Sequence, residues 1–315
     1  MKFTKTAVAV AIAGIAAAPM IASADTTLSG VVQIQLNGDD SDTGADPEPG
    51  DATINADDVL FGIVSEHELN NGLTGYGSLR VDMNRLSNAG AVTVDPGTPA
   101  NDDDDTSIGT LGTADSVYVG VKGGFGDVRF GEIPLAIEYG QVANDIYDVG
   151  PEINGGISYV GTFGPAGVIA NFSPENNSDA VGLGAKFGIG GFSVGLGYED
   201  RPGAGRAGEE AMSAGVSFAF AGASINAHYW TESEAENGED LESIAVKAGY
   251  GFGGVSADLT FATLEGDTTD QEAIRLDLVY DLGGGMDVSS RITAETNNED
   301  DSDLTSWRVK LSKAF

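Results

Sequence analysis

The chain of 315 residues contains no cysteine. That excludes a disulfide scaffold, thiol catalysis and any Cys-ligated metal or iron–sulfur centre. Its only two histidines are His67 and His228, which leaves little to build a zinc enzyme from. Basic side chains are scarce too: 15 Lys and Arg against 49 Asp and Glu give a formal net charge of −34 at pH 7. A nucleic acid is not a partner for such a surface, because binding a polyanion needs cations that displace its counterions. Against these shortages stand 46 glycines and a hydrophobic content of 41%, too high for an acidic disordered chain.

The N-terminus carries an address. Lys2 and Lys5 precede an apolar stretch from Ala7 to Ala18, Pro19 breaks it, and Ala22-Ser23-Ala24 offers small residues to a signal peptidase. Residues 1–24 therefore read as a cleaved signal peptide and 25–315 as one domain. The apolar stretch falls short of the ~20 residues that cross a bilayer as a helix, and no later run reaches that length.

From Thr27 onward the dominant signal is alternation. Ile274, Leu276, Leu278 and Tyr280 alternate with Arg275, Asp277 and Val279, and Trp307, Val309 and Leu311 with Arg308, Lys310 and Ser312. Phe192, Val194, Leu196 and Tyr198 alternate with Ser193, Gly195, Gly197 and Glu199 in the same way. Faces that switch at every residue belong to strands with one apolar and one wet side. Two kinds of connection follow one another along the chain. Short glycine-rich turns such as Gly123–Asp127, Gly188–Gly191 and Leu282–Gly285 alternate with long acidic segments such as Asn37–Asp58 and Leu86–Ala114. Sixteen candidate strands result, from 27–37 to 304–315, many about as long as the 9–11 residues of a tilted membrane strand. The pattern predicts an all-β fold: a transmembrane antiparallel β-barrel of 16 strands, short periplasmic turns and long extracellular loops. A soluble β-sandwich also alternates, but has no reason to keep short and long connections in strict succession.

The residues also resemble a family. Val59–Gly62 running to Leu69–Leu73, Ser116–Val121, Phe125–Gly131, Gly182–Phe187, Tyr280–Gly283 and the terminal Phe315 are similar to the general bacterial porins of Gram-negative outer membranes, the sixteen-stranded trimeric type. That resemblance implies passive diffusion of ions and small polar solutes, a homotrimer in outer-membrane lipid and lipopolysaccharide, and a third loop folded into the lumen. It also implies that Phe315 is an assembly signal read by the barrel assembly machinery. Gly75 and Gly77, on the outward face of their strand, would let subunits pack closely. Lys313 departs from the apolar outer stripe at the periplasmic rim, where a lysine can snorkel.

Alternation sends Arg80, Lys122, Arg129, Lys186, Lys247, Arg275, Arg291, Arg308 and Lys310 to the wet face. Lipid rejects arginine at ~2–4 kcal/mol near the bilayer midplane, which explains their direction but not their gathering on the third to fifth and last three strands. The basic wall of a constriction is thus expected from Arg80, Lys122, Arg129, Arg275, Arg291, Arg308 and Lys310. Its opposite side is expected from the third loop, about Ile133 to Gly155, with Glu132, Glu138, Asp145, Asp148 and Glu152. Opposed charges of this kind orient dipolar solutes and set ion preference.

No cofactor is expected. Asp40-x-Asp42-x-Gly44 begins like a calcium loop but lacks the later ligands and the terminal glutamate. The acidic loops, with Asp39, Asp46, Glu48, Asp51 and the run Asp102–Asp105, suit a solvated surface with loosely held Ca2+ or Mg2+ bridging to lipopolysaccharide. An enzyme is not expected either. Gly191-Phe192-Ser193-Val194-Gly195, followed by Asp200 and His228, matches a hydrolase order but lacks the strand-to-helix elbow that motif needs. His67-Glu68 lacks a second histidine at position 71, and Gly249–Gly254 reads as a hairpin turn. The alternatives are a structural or adhesive barrel with a closed lumen and, behind it, a barrel hydrolase.

Overall fold

The computed structural model describes residues 25–42, 52–83, 113–143, 146–147, 155–175, 178–201, 210–233, 238–299 and 302–315. Its strands are β1 (Asp25–Asp42), β2 (Thr53–Glu68), β3 (Thr74–Asp82), β4 (Thr113–Gly123), β5 (Gly126–Gly131), β6 (Gly156–Phe163), β7 (Ala166–Glu175) and β8 (Ser178–Ile189). There follow β9 (Phe192–Asp200), β10 (Glu210–Phe220), β11 (Ala223–Glu232), β12 (Leu241–Phe252), β13 (Val255–Glu265), β14 (Asp270–Gly283), β15 (Met286–Asn297) and β16 (Ser302–Ala314). Each pairs with its sequence neighbours, and β1 meets β16 to close the barrel. Closure leaves no strand edge, which hydrocarbon would not tolerate because it cannot hydrogen-bond a bare N–H or C=O.

The seam is long and pinned at its periplasmic end. β1 and β16 pair from Val31↔Ala314 to Asp42↔Asp303. Gly30 and Phe315 then exchange both backbone hydrogen bonds, at 2.9 and 3.0 Å. The Phe315 ring lies where a side chain at position 30 would stand, so the glycine makes room for it.

Every expected strand is present, and the first two are longer than the hydropathy pattern indicates. The expected loop Asn37–Asp58 is strand at both ends, with Asp39 opposite Ser306 and Asp40 opposite Thr305. Above the hydrocarbon both faces of a strand are wet, so the apolar alternation stops while the backbone ladder continues. At the opposite rim the turns are tight. Phe252 pairs with Val255 across Gly253 and Gly254, whose φ of +54° and +85° suit a two-residue hairpin turn and strain other residues.

The outward face is apolar, with Leu183 at 60% exposure and Leu259, Ile274 and Ile292 alike. Aromatics crowd its short-turn end, where Phe125, Phe163, Phe187, Phe220, Phe252 and Phe315 are all exposed. Toward the long-loop end the Tyr198 hydroxyl donates to Glu210 at 3.1 Å and the Tyr229 hydroxyl to Glu242 at 2.7 Å. Two aromatic girdles with polar tips reaching the water mark the membrane boundaries. Lys313 reaches the Gly284 carbonyl in the turn before β15, the snorkelled position expected of it.

Candidate functional site: the lumen and its internal loop

The nine strand cations all occupy lumen positions by register, and seven of them fall on β3–β5 and β14–β16. On β2–β5, Lys122 donates to Glu66 at 2.6 Å, and the Arg129 Nε lies 3.1 Å from Asp127 and 3.0 Å from the Tyr76 hydroxyl. The Tyr76 hydroxyl in turn donates to Asp127 at 2.5 Å, and the Arg129 guanidinium stands 5.3 Å from the Tyr118 ring centre. On β14–β16, Asp277 forms an ion pair with Arg275 at 3.1 Å and accepts a hydrogen bond from Arg291 at 2.5 Å. Arg291 and Arg308 face each other directly across β15 and β16. Lys310 pairs with Asp57 and donates to Gln33 at 3.0 Å. Arg80 is exposed on β3, and Lys186 and Lys247 stand apart on β8 and β12.

These contacts sharpen the expected wall. It is basic in its arginines and lysines, but Glu66, Asp127, Asp277 and Asp57 are folded into the same faces and pair with them. The signal was present in the sequence: Asp277 lies two residues from Arg275 and Asp127 two from Arg129, on the same side of a strand.

The third loop, between β5 and β6, folds inward and runs along the opposite arc. Asn171 of β7 donates to the Pro134 carbonyl at 2.6 Å. The buried Glu199 of β9 accepts the Ala136 and Ile137 N–H groups at 2.7 and 3.3 Å. Ser213 of β10 donates to the Ile137 carbonyl at 2.5 Å. The Ala143 N–H donates to Nδ1 of His228 on β11 at 3.1 Å, and the indole of Trp230 donates to the Tyr147 carbonyl at 3.2 Å. Apolar contacts follow the same path: Ile137 packs with Ala211 and Trp230, and Ile146 and Tyr147 with Ala245 and Ala262. Tyr147 ends beside Glu295 and Glu272, and burial followed by those two carboxylates raises its hydroxyl pKa.

The seat of this loop is paved with glycine. A side chain at Gly195 would overlap the Tyr139 carbonyl, and one at Gly215 the Gly140 carbonyl. At Gly197 a Cβ would stand 2.5 Å from the Ala136 carbonyl oxygen, and at Gly184 2.8 Å from it. The hydropathy pattern marks Gly195 and Gly197 only as the wet side of a strand. The recurrence of glycine at inward positions of β8, β9 and β10 is the signal that something packs there.

Of the expected loop acids, Glu138 is exposed on the 3-10 turn Ile137–Tyr139, and Glu132 directly follows β5, half-buried. Asp145, Asp148 and Glu152 lie outside the described residues. At the outer rim Arg201 forms a buried pair with Glu232 at 3.2 Å. Glu239 accepts Thr269 Oγ1 at 2.7 Å and Thr268 N and Oγ1 at 2.8 and 2.9 Å. Those bonds, that from Thr269 first, hold its carboxyl pKa below the ordinary glutamate value.

The hydrolase-like trio is not assembled. Ser193 pairs with Ser217, β10 separates it from β11, and His228 is occupied by the Ala143 N–H. Among the described residues no three metal-ligating side chains gather. Residues 134–143 and 146–147 thus lie inside a closed sixteen-stranded barrel, against one arc and facing cations on the other, which is the architecture of a membrane diffusion channel. The family model described as Gram-negative porin matches residues 6–312, and the chain belongs to that family. It is therefore an outer-membrane porin of a Gram-negative bacterium. Among solved structures it is similar to the anion-selective porin of Comamonas acidovorans, at 16% identity and TM-score 0.68 over 93% of this chain and 100% of that one. The trimer form of OmpT from Vibrio cholerae matches at 15% identity and TM-score 0.65 over 93% and 100%. A mutant of the Rh. blastica porin matches at 13% and 0.67 over 92% and 100%. No curated protein matches the chain.

Proposed function

We propose that the barrel is a water-filled homotrimeric channel in which ions and small hydrophilic solutes diffuse passively through a constriction. One side of that constriction is the third loop, and the other is the wall of Arg80, Lys122, Arg129, Arg275, Arg291, Arg308 and Lys310. The observation that carries this reading is the fixing of the loop to β7–β11 through Asn171, Glu199, Ser213 and His228, which leaves the cation-bearing arc free to line the pore. A structural barrel has no need to hold a loop on one side of its lumen.

The charge balance favours cations. Wall cations are largely matched by wall acids, whereas the chain carries a net −34, much of it in the long loops. The acidic mouth concentrates cations, and the inner arginines slow rather than exclude them. In this the chain differs from its Comamonas counterpart, with which it shares a fold. Gly75 and Gly77 of β3 offer a flat outer strip for subunit contact, Phe315 serves as the assembly signal, and the acidic loops hold Ca2+ or Mg2+ loosely against lipopolysaccharide. Residues 1–24 are the export signal, and the channel performs no catalysis. The reversal potential of the purified protein in a KCl gradient tests the charge assignment. A moderate cation preference is expected; a strong anion preference would overturn it.

A further inference from the structure

Between the tip of the third loop and the wall lies a cavity of about 380 Å³, lined by Ile146 from the loop and by Arg275, Arg291, Arg308, Asp39 and Glu295 from the strands. Its charges are not spent equally. Arg275 and Arg291 share Asp277, and Glu295 lies beside Tyr147. Arg308 and Asp39 remain. Among the described residues neither forms a hydrogen bond or a close ion pair: Arg308 faces Asn37 and feels Asp57, Asp277 and Asp58 only at longer range, and Asp39 faces the next inward residue, Ser306. Their backbones are thus offset by about 6.6 Å along the strands and about 4.8 Å across them. One positive and one negative group border the same cavity without touching.

We propose that this cavity is a dwell site for small zwitterions, amino acids or dipeptides, whose carboxylate meets Arg308 and whose ammonium meets Asp39. The inference rests on the channel reading above and names a solute class for it. The lining arginines Arg275, Arg291 and Arg308 are balanced by Asp39 and Glu295 of the lining together with Asp277 beside it, which pairs with Arg275 and Arg291. A simple anion or cation therefore gains one attraction and meets one repulsion, whereas a molecule carrying both charges gains at both ends. A guanidinium presents a planar fork that suits a carboxylate, and Arg291, opposite Arg308, reinforces that end. Asp39 lies on the long-loop side, so the ammonium points outward and the carboxylate inward.

The test is current noise through the full-length protein in a planar bilayer, with glycylglycine, its N-acetyl derivative and its methyl ester as probes. Glycylglycine is expected to add binding noise, and the two singly charged derivatives to add about tenfold less. Arg308→Gln and Asp39→Asn are each expected to reduce the glycylglycine noise to that level. Equal noise from all three probes in the wild-type protein overturns the zwitterion site without any variant. A normal KCl conductance with no glycylglycine noise also overturns it and leaves the channel reading standing. No conductance in KCl counts against both.

Discussion

Gly195→Val is expected to lower the single-channel conductance by roughly twofold, because the third loop must leave its seat and move toward the pore axis. The new Cβ would occupy the place of the Tyr139 carbonyl. Behind it the strand is held on both sides, with Gly195 paired to Lys186 and Gly215, so the wall does not yield. The loop does. Lifting it strains the hydrogen bonds from Ala136 and Ile137 to Glu199 and from Ser213 to Ile137, and overpacking of this kind costs about 1–3 kcal/mol. Gly167→Val is the matched control. It also sits on an inward face, but nothing stands nearer than 4.0 Å to its Cβ, so its conductance stays near that of the wild type. Conductance and thermal stability both unchanged in Gly195→Val would mean that the loop does not rest there.

Asp277→Ala is expected to destabilise the barrel and to turn its selectivity toward anions. Asp277 is the shared counter-charge of Arg275 and Arg291, whose side chains are 5% and 27% exposed. Its removal takes the shared carboxylate from those two guanidiniums and leaves Arg291 facing Arg308 across β15 and β16. Uncompensated charge at a buried site costs about 3–5 kcal/mol, and the partial exposure of Arg291 places this case at the lower end, about 3 kcal/mol. Thermal unfolding in detergent measures the loss, and the reversal potential measures the shift. Asp277→Asn keeps the shape and removes the charge, so it separates the two: its reversal potential moves as far as that of the alanine variant. An unmoved reversal potential in both would place Asp277 outside the permeation path.

The strands were legible because hydropathy alternates wherever one face meets lipid and the other water. The same alternation aimed Arg129, Arg275, Arg291 and Lys310 into the lumen, where register places them. It said nothing about what each cation meets there. The pairs Arg275–Asp277 and Arg129–Asp127 lie within one strand and follow from spacing, but those of Asp277 with Arg291 and Lys122 with Glu66 depend on the register between strands, which one strand's sequence does not encode. The outer extensions of β1 and β2 were hidden for the opposite reason, since a strand wet on both faces loses its periodic signature. Gly184, Gly195, Gly197 and Gly215 were the most informative residues to be passed over. A glycine on a lumen face is indistinguishable from a small wet residue until the Tyr139 and Gly140 carbonyls are seen to fill the space above it.

On the proposed function the loop narrows the lumen and does not plug it, so water and ions pass between residues 134–143 and the arginines of β14–β16. Single-channel recording of the purified full-length protein in a planar bilayer tests this most directly. Discrete open steps in KCl, appearing in triplets as each trimer inserts, are the predicted result. A correctly folded, inserted protein that carries no current would contradict it.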